Sequence, residues 1–292
     1  MSAYKKAIIT IVLVMLIWGS SFTVTKIVVN QLPPAWFAFL RFVVASLILL
    51  VIYFSKKRVP TQKPPISMLV WMGLSGVTFY YLFFNLSMRY TSAATGALLQ
   101  GFIPVIIALM AALFLKEKIS PRQLTGILIS VLGVAIVGFV AAPAEAAAAR
   151  PLLGNALMMV CILSWCVYTI LSKKTAGADP MMVTTWVTVT GTLFLIPAVL
   201  VEAAGHPLPL PSFQSWIGIF YLGAFASALC YFWYNNALWH LSAAQVGNFL
   251  NLDPVAGAGI AVISLHEKIS PLQIGGCLLV VAGVWLSGLK AH

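Results

Sequence analysis

Asp253 is the one acid that falls near the middle of a long apolar run in this 292-residue chain, and it stands directly before Pro254. A carboxylate in hydrocarbon costs about 2.5–3.5 kcal/mol on the insertion scale, so it needs a reason to be there. Such a group can take up and release a proton during ion-coupled work. It can equally cap the helix break that Pro254 makes. Gln245, Asn248 and Asn251 share its run, while Thr95 and Gln100 lie in an earlier run that holds Pro104. A proline inside a helix removes a hydrogen bond and frees the carbonyl four residues earlier, here Gln100 and Leu250. The polar side chains around the two prolines either line a cavity or hydrogen-bond between helices, where each contact contributes about 1 kcal/mol. Aromatics supply a second kind of chemistry. Tyr80 and Tyr81 precede Asn85, Tyr231 precedes Asn235, and Trp18 and Trp165 sit in other runs. Ring faces hold an ammonium by cation–π attraction and tyrosine hydroxyls hold a carboxylate; the same residues also serve as core or as interfacial belts. Lys26 and Arg41 fall inside runs as well. Lys26 suits snorkelling to the membrane edge, and Arg41 either pairs with a carbonyl or takes a bound carboxylate.

What is missing narrows the chemistry. There is no His-Glu-x-x-His, no pair of carboxylates within the apolar runs and no Ser/His constellation, and His206, His240, His266 and His292 lie at or beyond run ends. The expectation is therefore no catalytic residue, no metal site and no cofactor. Cys161, Cys166, Cys230 and Cys277 all lie in apolar runs without metal-site spacing and read as small buried hydrophobes.

The elements that position these residues follow from composition. The chain is 61% hydrophobic and 8% charged, with a mean hydropathy of +1.01, which excludes a soluble domain because its surface would be largely apolar. Ten apolar runs are long enough to cross about 30 Å of hydrocarbon as helices: 7–29, 34–54, 67–88, 92–114, 121–141, 152–172, 180–201, 213–238, 242–264 and 271–289. The first run is too long for a signal-peptide core and reads as a retained helix. A net charge of +11 invites a nucleic-acid partner, but its placement points to lipid instead. With the N-terminus inside, twelve Lys and Arg fall in cytoplasmic segments and only Arg89, Arg150 and Lys268 fall on the other side. That bias predicts both termini cytoplasmic, in an integral, multi-pass protein of the inner (plasma) membrane whose basic loops face anionic lipid headgroups.

A repeat supplies the topology. Glu117-Lys118-Ile119-Ser120-Pro121-x-Gln123 returns 150 residues later as Glu267-Lys268-Ile269-Ser270-Pro271-x-Gln273. At that offset 21 of the 57 positions in 81–137 are identical to 231–287, including Tyr81/Tyr231, Asn85/Asn235 and Pro104/Pro254. Each half holds five runs. Five is odd, so the second half enters from the opposite side. The expected fold is all-α, ten transmembrane helices as a 5+5 inverted repeat, with a first repeat over 1–142, a linker over 143–151 and a second repeat over 152–292. Paired breaks at Pro104 and Pro254 then point to a binding site near the midplane. Ser120 with Gln123, and Ser270 with Gln273, read as capping boxes around a helix-starting proline.

Pro104 followed by Glu117, Ser-Pro-x-Gln and spaced glycines, the same set in the second half, and the opening Trp18-Gly19-Ser20-Ser21-Phe22 resemble the EamA family of the drug/metabolite transporter superfamily. The second half departs at Trp165-Cys166-Val167. The resemblance covers the whole chain and is nearest in pattern to YddG-type amino-acid exporters. It implies a secondary-type exporter of amino acids, aromatic and hydrophobic ones included, or of similar small metabolites, working by alternating access through a mostly apolar central cavity. The alternatives are an exporter of drugs or amines, or a lipid flippase. The expected partners are a small zwitterionic or apolar substrate and membrane lipid, with no nucleic acid. The oligomeric state stays open, with a monomer compatible. Trp18, Tyr80, Tyr81, Asn85, Thr95, Gln100, Trp165, Tyr231, Asn235, Gln245 and Asn248 are the candidate substrate-binding residues. Pro104, Pro254 and Asp253 are the candidate hinge or coupling residues.

Overall fold

The structure, a computed structural model, describes residues 3–29, 31–55, 62–90, 96, 99–141, 150–205, 207–265 and 270–288. Among these residues, apart from an isolated bridge between Ala176 and Ala178, regular structure is helical. The helices are α1 (Ala3–Val29), α2 (Pro34–Ser55), α3 (Ile66–Ser87), α4 (Ile103–Phe114), α5 (Pro121–Ala141), α6 (Pro151–Lys174), α7 (Pro180–Gly205), α8 (Phe213–His240), α9 (Ala243–Phe249), α10 (Leu252–Leu265) and α11 (Pro271–Gly288). Ala3–Ser21, α2, α3, Leu152–Lys174, α7 and α8 are each long and apolar enough to cross a bilayer, and α4, Pro121–Val137 and Pro271–Ser287 are shorter apolar helices. The protein is an all-α integral membrane protein with multiple spans. The linker expected at 143–151 falls mostly outside the described residues, as do Thr95 and the Glu267 copy of the repeated string.

Helix starts follow local sequence. α2, α5, α6, α7 and α11 all begin at a proline, whose missing N–H costs nothing in a first turn. Both predicted capping boxes are present: the Ser120 amide donates to Gln123 Oε1 at 3.0 Å and the Gln123 amide to Ser120 Oγ at 3.2 Å, with 2.9 and 3.1 Å for Ser270 and Gln273. A third box starts α9, where the Ser242 amide donates to Gln245 Oε1 at 3.2 Å and the Gln245 amide donates to Ser242 Oγ at 3.1 Å.

Packing in one half repeats in the other. α1 packs on α8 and α10, and its counterpart α6 packs on α3 and α4. α2 pairs with α7, and α5 pairs with α11. The α5–α11 seam is reciprocal: a Cβ on Gly126 would lie 2.6 Å from the Gly283 carbonyl oxygen, and one on Gly283 2.5 Å from the Gly126 oxygen; Gly133 and Gly276 repeat the arrangement. α3 and α8 each contain a wide-turn π segment, Leu74–Phe79 and Leu222–Leu229, at matching places. Each segment stands just before the paired tyrosines Tyr81 and Tyr231. A π turn shifts the helix register and loosens its carbonyls, and one of them is used here: Tyr231 Oη donates to the Gly76 oxygen at 2.6 Å.

Candidate functional site

A cavity of about 250 Å³ lies among α1, α2, α3, α6 and the α9–α10 break. Elements of both halves therefore build it. Trp18, Gly19, Ser21 and Thr25 of α1 form one side, Arg41 of α2 and Tyr80, Tyr81 and Phe84 of α3 another. Trp165 comes from α6, Gln100 from the turn before α4, and Asn251, Asp253 and Pro254 from the α9–α10 region. Gly19 is small because α10 touches α1 there: an added Cβ would lie 2.6 Å from Ala256 Cβ and 3.0 Å from the Asp253 carbonyl oxygen.

The walls are rigid aromatics. Trp18 and Trp165 meet edge to face with centroids 5.3 Å apart, Tyr80 lies 5.0 Å from Trp165, and Tyr80 and Tyr81 are 4.9 Å apart. Trp18 Nε1 donates to the Ala226 oxygen at 2.8 Å, which fixes its ring. The Trp165 indole nitrogen is buried and has no hydrogen-bond partner among the described residues. Arg41 is only 3% exposed. Its Nε donates to Ser227 Oγ at 2.7 Å and an Nη donates to Tyr81 Oη at 3.1 Å. Its guanidinium carbon sits 4.5 Å from the Tyr81 ring centre, a cation–π arrangement worth about 0.5–2 kcal/mol.

Seven of the candidate residues meet at this cavity: Trp18, Tyr80, Tyr81, Gln100, Trp165, Asp253 and Pro254. Thr95 lies outside the described residues, and the others occupy packing positions. Tyr231 is fully buried beneath the aromatic wall, with its hydroxyl held by Gly76. Asn235 accepts from Tyr168 Oη at 2.8 Å and Ser172 Oγ at 2.6 Å and donates to Thr184 Oγ1 at 2.8 Å, which joins α6, α7 and α8. Asn85 donates to the Pro34 oxygen at 3.0 Å. Gln245 belongs to the α9 capping box and donates to Tyr4 Oη at 3.4 Å. Asn248 links the α5–α11 seam, accepting from Ser130 Oγ and donating to Ser287 Oγ, both at 2.5 Å. Pro104 is buried in the first turn of α4 rather than in mid-helix. The break comes ahead of the proline, at Gln100-Gly101-Phe102, and Asp253 likewise precedes Pro254 in the first turn of α10. The Leu250 carbonyl is not left free, since the Asp253 amide donates to it at 3.1 Å.

Charges at the helix ends have local work. Glu202 accepts from the Ala35 and Trp36 amides, both at 2.9 Å, and so caps α2. Glu117 accepts from the Ala243 and Ala244 amides at 3.0 and 3.5 Å and caps α9, 126 residues away in sequence. Lys173 Nζ donates to the Leu238 and Leu241 oxygens at 2.7 and 2.8 Å at the C-terminus of α8. These placements follow the helix dipole, negative at N-termini and positive at C-termini.

The profile of the EamA-like transporter family matches residues 5–139 and 152–289. An uncharacterized transporter of Archaeoglobus fulgidus is 31% identical over 291 residues, covering 99% of each chain. A probable amino-acid metabolite efflux pump of Salmonella typhimurium is 27% identical, covering 94% of this chain and 92% of its own. A probable terminal-alkyne amino-acid exporter of Streptantibioticus cattleyicolor is 25% identical, covering 97% and 93%. One solved crystal structure superposes with a TM-score of 0.81 at 18% identity, covering 97% of this chain and 96% of its own. That likeness is one of fold.

Proposed function

The chain belongs to the EamA-like transporter family, and from that premise we propose that it exports amino acids, aromatic and hydrophobic ones included, or similar small metabolites across the plasma membrane. It is a transporter and not an enzyme. In this reading ten spans form two five-helix repeats of opposite orientation, with both termini cytoplasmic, and the repeats expose the central cavity to each side in turn. The observation that carries the reading is the shared cavity: both halves supply its walls, and among the described residues its lining is aromatic with a few amides, one cation and one acid. A volume of about 250 Å³ falls just below the roughly 300–1,000 Å³ of drug-sized pockets, which favours a small substrate over bulky drugs. The names of the Salmonella and Streptantibioticus relatives point the same way. A flippase would need ligands for a headgroup on a lipid-facing groove. The groove between α2 and α8, at Leu40, Val44, Leu47, Trp216 and Phe220, is lined by apolar side chains alone. The test is efflux from proteoliposomes of fixed orientation, preloaded in turn with each of a broad panel of labelled amino acids. Movement of several hydrophobic ones is expected, and movement of none across the panel would remove the proposal.

A further inference from the structure

Arg41 and Asp253 line the same cavity, yet among the described residues neither has the counter-charge that such burial demands. A guanidinium carries five N–H donors. Among the described residues Arg41 spends one on Ser227 and one on Tyr81, and no carboxylate lies within ion-pair distance. The acids among the described residues divide in a telling way. Glu117, Glu202 and Asp179 each accept backbone N–H groups at helix starts. Asp253 instead has a buried Oδ1 with no hydrogen-bond partner among the described residues. Burying a charge is costly unless it is paired, and here a guanidinium and a carboxyl line one cavity with no ion pair between them. Trp18, Tyr80, Tyr81, Phe84 and Trp165 give the same cavity an uncharged aromatic wall.

We infer that Arg41 and Asp253 are the two poles of a zwitterion site: Arg41 receives the substrate's carboxylate and Asp253 its ammonium. The inference rests on the export reading and sharpens it. The Ser227 and Tyr81 hydrogen bonds hold the guanidinium in place and leave three N–H groups for the carboxylate. The specificity that follows is for molecules carrying both charges. A decarboxylated amine leaves Arg41 unpaired, and a deaminated acid leaves Asp253 unpaired. Sites built to pair a substrate group reject the analogue that lacks it, because their own buried groups then go unsatisfied.

The test uses the purified full-length protein in detergent and three ligands of one shape: leucine, 3-methylbutylamine and 4-methylpentanoate. Binding is read as concentration-dependent thermal stabilisation. Leucine is expected to bind at least about tenfold more tightly than either analogue. Arg41→Gln should weaken leucine and 4-methylpentanoate by at least about tenfold and spare the amine; Asp253→Asn should weaken leucine and the amine and spare the acid. Equal binding of leucine and its amine to the unmodified protein overturns the inference and leaves the export reading standing. So does an Arg41→Gln loss that is the same for all three ligands, since that marks a general structural role. If neither variant folds, the three-ligand comparison on the unmodified protein decides alone. If no amino acid of a broad panel binds, the export reading falls and takes this inference with it.

Discussion

Gly275 and Gly283 lie on one helix, α11, and the structure separates them sharply. A Cβ at Gly275 would meet nothing within 4 Å, whereas one at Gly283 would lie 2.5 Å from the Gly126 oxygen and 2.6 Å from the Ser130 amide nitrogen. Both obstacles are backbone, so no side chain can swing aside. Relief requires α5 and α11 to part by roughly half an ångström or more, a gap that forfeits about a quarter to a half of each dispersion contact along the seam. Overpacking of this kind costs about 1–3 kcal/mol. Removing a helical glycine returns up to about 1 kcal/mol at either site through helix propensity. The difference between the two variants is therefore about 1–3 kcal/mol, with Gly275→Ala neutral or stabilising and Gly283→Ala destabilising. The parting also stretches the Ser130–Asn248–Ser287 hydrogen bonds, which cross the same seam at 2.5 Å each. The assay is thermal melting of the two variants in one detergent, where a gap of this size reads as several degrees. A Gly283→Ala melting temperature equal to or above that of Gly275→Ala would refute the packing argument.

Three further expectations follow from particular contacts. Asn235→Leu leaves the Tyr168 and Ser172 hydroxyls without their acceptor; it should destabilise the protein by about 1–3 kcal/mol, seen as a lower melting temperature, while the order of preference among ligands stays unchanged. Glu117→Gln weakens the α9 cap made with Ala243 and Ala244 and should cost about 1 kcal/mol of thermal stability, whereas Lys118→Gln, at an exposed position, should cost less than about 0.5 kcal/mol. Trp18→Phe removes the hydrogen bond to the Ala226 oxygen and with it the fixed ring orientation at the cavity wall, so binding affinity in the thermal-shift assay should fall more than stability does.

The residues legible in sequence and those that were not divide along a physical line. Capping boxes are local, made within four residues, so Ser120/Gln123 and Ser270/Gln273 could be read without any knowledge of the fold. The same logic applied to Ser242 and Gln245 identifies Gln245 as a cap; its place in the run that holds Pro254 suggested a cavity residue instead, and the break ahead of α9 is what makes the cap possible. Sequence spacing could pair Tyr81 with Tyr231 but could not say which way each ring points. The structure has Tyr81 at the cavity with Arg41, while Tyr231 turns its hydroxyl into the bulge of α3 at Gly76. The duplication is thus a guide to which helices correspond and a poor guide to which copies share a role. Arg41 makes the point from the other side. It has no counterpart of its own type in the second half: Thr188 stands at the 147-residue offset that joins Trp18 to Trp165, and Gly191 at the 150-residue offset of the later helices. A search for matched pairs passes over it, yet a guanidinium held a third of the way along an apolar helix is the costliest side chain in α2 to keep there. An asymmetric charge in an otherwise duplicated bundle is where the two halves stop being interchangeable, and a cavity that binds one end of a substrate differently from the other needs that asymmetry.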